Sequence, residues 1–289
     1  MSDLDNKVSK IVSSIDEKVH HKKVISTIDE RRSLISGQFL TQTINGMKLI
    51  FKTQPKNILQ FAREMLGYKL YPKQEEVLVQ IRGLDPLIWD TTASEILLMI
   101  GQRGGKNLVM QIDAAYQAYY LGNCTDPYRL LSLFCGKDIN RTDNFEITNN
   151  SIAGEGQAKE VFFDRIKKTI RATMTVDEAE RVNWFGKYMS MNLSEDGLGD
   201  IKAKNISFPR FGEDTGSVVL YSLDSKRSSP EGRIILTGYI DEPSRADTKL
   251  TYENAKILYD VVKRNTRGSF PQGVGKVIPF SYPNMSEYD

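Results

Sequence analysis

The feature that most constrains this fold is a glycine-rich turn between an apolar run and an amphipathic helix. The run Ile96–Ile100 leads into Gly101-Gln102-Arg103-Gly104-Gly105-Lys106-Asn107, and a helix is predicted over 106–121. Glycine permits a sharp backbone path that points successive N–H groups at an anion. The helix N-terminus adds the positive end of its dipole. Strand, turn and helix in this order predict a phosphate-binding loop, to which we assign all seven residues of the segment.

The segment departs at two positions from the usual pattern G-x-x-x-x-G-K-[ST]. The first glycine comes one residue late, and Asn107 replaces the Ser or Thr whose hydroxyl contacts Mg²⁺. Lys106 is predicted to reach the β- and γ-phosphates. The Asn107 side-chain oxygen is a neutral candidate ligand for the metal. The alternative interpretation is an ordinary glycine-rich turn with a solvent-exposed Lys106.

A second motif delivers two carboxylates at the end of an apolar strand. The predicted strand Ile234–Ile240 runs into Asp241 and Glu242. We assign Asp241 to Mg²⁺ and Glu242 to the orientation and deprotonation of the attacking water. The alternative is that the pair begins an acidic loop or caps the next helix. Because open α/β sheets bind ligands at the carboxyl ends of their strands, the two motifs together predict a site for ATP and Mg²⁺.

The rest of the pattern predicts an α/β fold with a mostly parallel sheet flanked by helices, preceded by a helical segment. Consecutive apolar residues indicate strands buried on both faces. We predict an N-terminal helical arm over 1–60, helical over 3–35, and a P-loop domain over 61–289. Predicted strands are Ile96–Ile100, Leu130–Cys135, Asn205–Phe208, Ser217–Tyr221, Ile234–Ile240 and Lys276–Phe280, and predicted helices are 57–66, 72–82, 106–121, 156–172, 176–182 and 251–265.

Composition excludes several classes of protein. The net charge of +2 lacks the basic bias of a dedicated nucleic-acid-binding domain, so DNA contact would need local clusters. Two such clusters are Arg165, Lys167, Lys168 and Arg171, and Lys263, Arg264 and Arg267, although most basic patches are solvated faces. The two cysteines and two histidines, Cys124, Cys135, His20 and His21, predict neither a zinc site nor a disulfide framework. We expect no signal peptide, no transmembrane helix and a reducing cytosol.

These motifs resemble the ATPase domain of phage large terminase subunits. The resemblance covers about residues 66 to 289 and includes Tyr71-Pro72-Lys73-Gln74, Arg103 inside the loop, the segment 157–163, the stretch 228–232 and Ser281-Tyr282-Pro283. It implies an ASCE (RecA-like) P-loop fold, with adenine recognition at Tyr71 and Gln74 and coupling of hydrolysis to motion at Ser281. It also implies only the ATPase part, because the family's nuclease domain would follow the end of this chain.

The resemblance further implies a viral motor that hydrolyses ATP to move double-stranded DNA into a procapsid in the host cytoplasm. The expected partners are DNA, further copies in a ring on a portal, and a small terminase subunit. Phosphoryl transfer gains from a cation at the γ-phosphate. Arg103 is the candidate in the same chain, and Arg227 and Arg233 are candidates acting on a neighbouring subunit. Two alternatives stay open: a helicase-like translocase, for which the chain has no room for a second motor domain, and a nucleotide-binding scaffold without hydrolysis.

Overall fold

A computed structural model describes residues 40–44, 46–101, 104–151, 163–173, 183–193, 205–223, 230–241 and 249–281. These residues belong to a compact unit that spans Leu40–Asp289. The unit therefore begins well before residue 61, where we predicted the domain to start. The helices predicted over 3–35 and 176–182 lie outside the described residues.

The chain enters this unit through a β-hairpin. Strands β1 (Leu40–Ile44) and β2 (Met47–Phe51) pair antiparallel. The prediction of a helical arm up to residue 60 is therefore wrong for these residues. The burial pattern explains the difference. Leu49 and Phe51 are buried, whereas Lys48 and Ile50 are exposed, so burial alternates with the period of two that is typical of a strand. Phe51 also forms an antiparallel β-bridge with Cys124 of the same unit.

The next two helices follow the prediction. Helix α1 begins as Ile58–Gln60 and continues as a π-helical turn over Phe61–Met65. Asn57 caps its start, because the Asn57 side chain accepts a hydrogen bond from the Gln60 N–H at 2.9 Å. Helix α2 spans Pro72–Arg82, with the proline at its first turn.

A six-stranded sheet forms the centre of the unit. Its strands are β3 (Leu98–Met99), β4 (Phe145–Ser151), β5 (Asn205–Ser207), β6 (Val218–Leu223), β7 (Ile235–Asp241) and β8 (Lys276–Ser281). Their order is β3-β8-β7-β4-β6-β5, and every neighbouring pair is parallel except β5 with β6. The predicted mostly parallel sheet is confirmed.

Helices cover both faces of this sheet. Helix α3 (Lys106–Asn123) lies on the face that Thr237 and Tyr239 present, because both side chains hydrogen-bond to Gln117. Helix α7 (Lys249–Ser269) lies on the other face, where a side chain at Gly238 would meet Val262. Alternation along β7 thus assigns successive residues to opposite layers.

The predicted strand Leu130–Cys135 is wrong. These residues belong to helix α4 (Pro127–Cys135). Asp126 caps its start by accepting from the Arg129 N–H at 3.1 Å, and Gly136 ends it in the left-handed conformation with φ of 64°. A short apolar run does not by itself distinguish a strand from a buried helix, and the flanking proline, cap and glycine decide here.

Two further helices complete the described part of the fold. Helix α5 spans Asp164–Ala172, inside the helix predicted over 156–172, and helix α6 spans Trp184–Met189, which was not predicted. Trp184 packs against Tyr119 of α3 with ring centroids 4.8 Å apart. Cys124 and Cys135 are both buried and free. Among the described residues no helix is both long and apolar enough to span a bilayer.

Candidate functional site

The glycine-rich loop is a tight turn that ends in a helix N-terminus. Strand β3 stops at Met99, and the Gly104 N–H donates to the Gly101 carbonyl at 3.0 Å. Gly105 has φ of 84°, a left-handed conformation that favours glycine, and it is the N-cap of α3. The first N–H groups of a helix have no partner within it, so this loop presents donors to an anion. Gln102 and Arg103 lie outside the described residues.

Helix α2 fixes the loop through one glutamine. The Gln74 Nε2 donates to the Gly104 carbonyl at 3.1 Å, and its Oε1 accepts from the Tyr71 N–H at 3.1 Å. A Cβ at Gly105 would overlap the Gln74 amide, so this contact also requires glycine. Gln74, which we predicted to read the adenine base, thus lies against the phosphate loop, while Tyr71 is 74% exposed.

The sheet brings the two predicted motifs to the same edge. In the strand register Phe280 of β8 is paired with Leu98 on one side and with Asp241 on the other. Its ring centroid lies 6.0 Å from the Lys106 Nζ. One residue of β8 therefore links the loop lysine to the acidic strand. Asp241 is only 2% exposed, which keeps its carboxylate in a low-dielectric setting.

The polar groups at this edge suit a magnesium ion. The Asn107 Oδ1 is buried and has no hydrogen-bond partner among the described residues, so its hydrogen-bonding capacity is free to hold a cation. Mg²⁺ is usually held by one or two carboxylates together with nucleotide phosphates and water, rather than by an all-protein cage. The described residues contain no cluster of three or more His, Cys, Asp or Glu that could hold a metal. Asp241 and Asn107 fit that sparse arrangement.

A cleft of about 320 Å³ opens beside the loop. Its lining includes Gln74 and Val77 from α2, Ile100 just before the loop, Gly104 within the loop, and Val109 from α3. The volume lies at the lower end of the range for small-molecule sites, which are mostly apolar with a few polar groups. The cleft therefore adjoins the phosphate loop and is lined by both apolar and polar side chains.

Ser281 ends strand β8 between the other two parts of the site. It is paired with Met99 of β3 and is 1% exposed. The sheet order places β8 between the loop strand and the acidic strand. Ser281 is thus positioned beside both, while Tyr282 and Pro283 lie outside the described residues.

Of the remaining predicted site residues, only Arg233 belongs to the described part of the chain. Glu242 and Arg227 lie outside the described residues. Arg233 precedes β7 and therefore lies at the amino edge of the sheet, opposite Asp241. Its Nη1 donates to the Glu146 carboxylate at 3.1 Å, and its guanidinium stacks 4.3 Å from the Tyr221 ring. Burial raises the pKa of Glu146, and Arg233 partly offsets that rise.

The two basic clusters differ in their intramolecular contacts. In the second cluster, Lys263 forms an ion pair with Glu95 at 2.9 Å and Arg267 also pairs with Glu95. In the first cluster, Lys167 is paired with Asp164, whereas Arg165 and Lys168 are exposed. Arg264 of the second cluster is exposed as well, so the two clusters differ mainly in that Glu95 pairs with two members of the second.

The loop, the buried aspartate and the strand order define this protein as a P-loop domain. A glycine-rich turn leads from a parallel strand into a helix, and the acidic strand lies one strand away. The chain belongs to the family described as the N-terminal P-loop domain of the uncharacterized protein MJ0330, whose model matches residues 22–288. This membership assigns the chain a P-loop fold.

One solved structure with a similar fold is a point mutant of the large terminase ATPase domain of Thermus phage P74-26. The likeness covers 80% of this chain and 71% of that chain, with 13% sequence identity and a TM-score of 0.43. No curated protein matches the chain.

Proposed function

We propose that this protein hydrolyses ATP with Mg²⁺ at the carboxyl edge of its sheet. The observation that carries the proposal is the register in which Phe280 joins Lys106 to Asp241 across β8. Lys106 and the loop N–H groups would hold the β- and γ-phosphates. Asp241 and the Asn107 Oδ1 would hold Mg²⁺, which neutralises charge that develops on the phosphates.

Hydrolysis also needs a base and a cation at the γ-phosphate. In the proposal Glu242 follows Asp241 directly and orients and deprotonates the attacking water. Arg103 within the loop supplies the positive charge in the same chain, and Arg227 or Arg233 of a neighbouring copy are the alternatives. The base of the nucleotide would occupy the cleft beside Gln74.

The direct test compares ATP turnover by the parent protein with turnover by Lys106→Ala and Glu242→Gln. Each change should lower kcat by at least about a hundredfold, because each removes a group that acts on the transition state. Lys48→Ala, which alters an exposed lysine of the hairpin, is the matched control and should leave turnover unchanged. Parent-like turnover by both site variants would refute the assignment.

Binding can be tested separately from hydrolysis. Excess Mg·ATP should raise the melting temperature of the parent by several degrees, because a ligand that binds only the folded state stabilises it. Lys106→Ala should lose most of this shift, whereas Lys48→Ala should keep it. A shift of equal size in all three proteins would mean that the nucleotide does not bind at the loop.

We further propose that hydrolysis drives double-stranded DNA into a viral procapsid, with several copies in a ring on a portal and a small terminase subunit as partner. The motifs that resemble large terminases and the exposed basic face of α5 support this finer proposal. A sliding motor needs contacts to phosphates rather than bases. DNA should therefore raise ATP turnover in a salt-dependent way, and replacing Arg165 and Lys168 by glutamate should abolish that stimulation while basal turnover is retained.

A specific residue favours one alternative, a nucleotide-binding scaffold without hydrolysis. Asn107 stands where the usual loop has a hydroxyl, and an amide oxygen changes the geometry of a metal ligand. The scaffold alternative predicts ATP binding without turnover even in the presence of DNA. If Asn107→Thr converts an inactive parent into an ATPase, the scaffold alternative is correct for the natural chain.

A further inference from the structure

A buried polar network lies next to the candidate site, on the helices and the strand that carry the site residues. It joins two helices and one strand, and its members are 0% to 4% exposed: Arg82 of α2, Asp113 and Gln117 of α3, and Thr237 and Tyr239 of β7. None of these residues belongs to the proposed ATP site. Charged and polar groups cost free energy to bury unless they are paired, and among the described residues the Arg82 Nη1 is the network atom that lacks a hydrogen-bond partner.

The contacts converge on the Asp113 carboxylate. Arg82 donates to it twice, from Nε at 2.5 Å and from Nη2 at 2.9 Å. The Tyr239 hydroxyl donates to the Asp113 Oδ2 at 2.5 Å, and the Gln117 Nε2 donates to the Tyr239 hydroxyl at 2.9 Å. The Thr237 hydroxyl closes the group by donating to the Gln117 Oε1 at 2.7 Å.

Each of the three elements carries a network residue at one place and a site residue further along. On α3, Asp113 follows Lys106 by two helical turns, about 10 Å along the axis. On β7, Tyr239 precedes Asp241 by two residues, so both side chains point to the same face about 7 Å apart. On α2, Gln74 contacts the phosphate loop and Arg82 contacts Asp113. Helix α2 is therefore attached at two separate points, to the phosphate loop through Gln74 and to α3 through Arg82.

Arg82 stays charged in this network and Tyr239 stays protonated. Burial alone would lower the pKa of Arg82, but the Asp113 carboxylate raises it, and the net shift is upward. Burial and the neighbouring Asp113 charge raise the pKa of Tyr239 well above its usual value, so its hydroxyl keeps its proton. The hydroxyl stays a donor to Asp113 across the physiological range. Apolar residues of similar volume often stabilise a fold as well as a buried ion pair does. Stability alone therefore does not explain this network, and its directional hydrogen bonds point to a positioning role.

We propose that this network is a positioning device for phosphoryl transfer: it fixes α2 and β7 along α3, and so sets the separation between Lys106 and Asp241. The inference rests on the proposed ATP hydrolysis. Hydrogen bonds to Asp113 define how far β7 can slide against α3, which apolar packing alone does not specify. A displacement of about 1 Å between groups that act on one phosphate is enough to slow the reaction strongly.

The test removes one hydroxyl from the network and one from a matched position. Tyr239→Phe deletes the donor to Asp113, and Tyr119→Phe deletes a buried hydroxyl on α3 that bonds to the backbone of Lys56 and Gln54, away from the network. Each change should cost stability by a similar amount, since each removes one buried hydrogen-bonding hydroxyl. Turnover, ATP affinity and the Mg²⁺ concentration for half-maximal turnover are measured well below both melting temperatures.

Tyr239→Phe should lower kcat at least about tenfold and raise the Mg²⁺ requirement, while ATP affinity changes less than about threefold. Tyr119→Phe should keep the parent's kcat. Thr237→Val removes the other hydroxyl of β7 from the network. Like Tyr239→Phe, it should lower kcat and raise the Mg²⁺ requirement while ATP affinity changes little. Equal kcat in Tyr239→Phe and Tyr119→Phe overturns the positioning role and leaves the proposed ATPase intact. If the parent binds ATP without hydrolysing it, both the proposed function and the positioning role are refuted.

Discussion

At the scale of single residues, the loop glycines and their contacts distinguish this turn from an ordinary one. Gly105 is constrained twice, by its φ of 84° and by the Gln74 amide that lies where a side chain would go. The sequence predicted that this glycine matters for anion binding. It did not predict that a glutamine 31 residues earlier holds the loop, because that contact depends on how α2 packs against the loop.

Gly105→Ala should lose more stability than the strain of a left-handed alanine alone, which is about 1–2 kcal/mol. The added methyl group must also displace Gln74, so ATP should bind more weakly. Gly136→Ala is the matched control, because Gly136 has φ of 64° and open space around it. Urea denaturation and ATP titration of both variants check this. Equal losses of stability with unchanged ATP affinity would contradict the role given to Gln74.

At the scale of elements, α2 and α3 were predicted from the residues at their ends, whereas helix α4 and the polar central strand β4 were not. Helix α3 begins at Lys106, as expected from the glycine turn, and α2 covers the predicted range 72–82. Strand β4 contains Thr148, Asn149 and Asn150, all buried, in a central position of the sheet. Consecutive asparagines resemble a turn, and only the pairing with β6 and β7 makes this segment a strand.

The packing of β7 against α7 leaves no room for a side chain at Gly238. A Cβ there would overlap Val262, so Gly238→Ala should cost about 1–3 kcal/mol of unfolding free energy. Combining it with Val262→Ala should recover part of that loss, because the smaller residue makes space. Val261→Ala, on the same helix, should show little coupling in a double-mutant cycle. Additive effects for both pairs would argue against this close approach.

At the scale of the whole molecule, one buried lysine ties stability to pH. Lys276 is 0% exposed, and burial and then repulsion by Arg82 lower its pKa from 10.5 to about 8, with Asp90 and Asp113 acting in the opposite direction. Between those two values the unfolded chain binds a proton that the folded chain does not. The lysine therefore makes the free energy of unfolding rise as pH increases from about 8 toward 10.5.

Lys276→Met should remove this dependence. The stability of the parent minus that of the variant should increase by about 1–3 kcal/mol between pH 7 and pH 10, measured by urea denaturation at both values. Lys48→Met, which changes an exposed lysine, should give a difference that stays nearly constant over this range. A constant difference for Lys276→Met would mean that the folded protein keeps the lysine charged and well solvated.

The sequence alone determined the local features: the loop from Gly101 to Asn107, the helix after it, the strand that ends in Asp241 and the parallel character of the sheet. These features depend on residues a few positions apart. The φ preferences of those residues and the spacing of their apolar side chains can be read directly from the sequence. The tertiary structure alone decided that Phe280 links Lys106 to Asp241 and that Asp113 meets Arg82 and Tyr239. Those partners are 31 and 126 residues from Asp113, and only the order of strands and the layer in which each helix packs bring such distant side chains together.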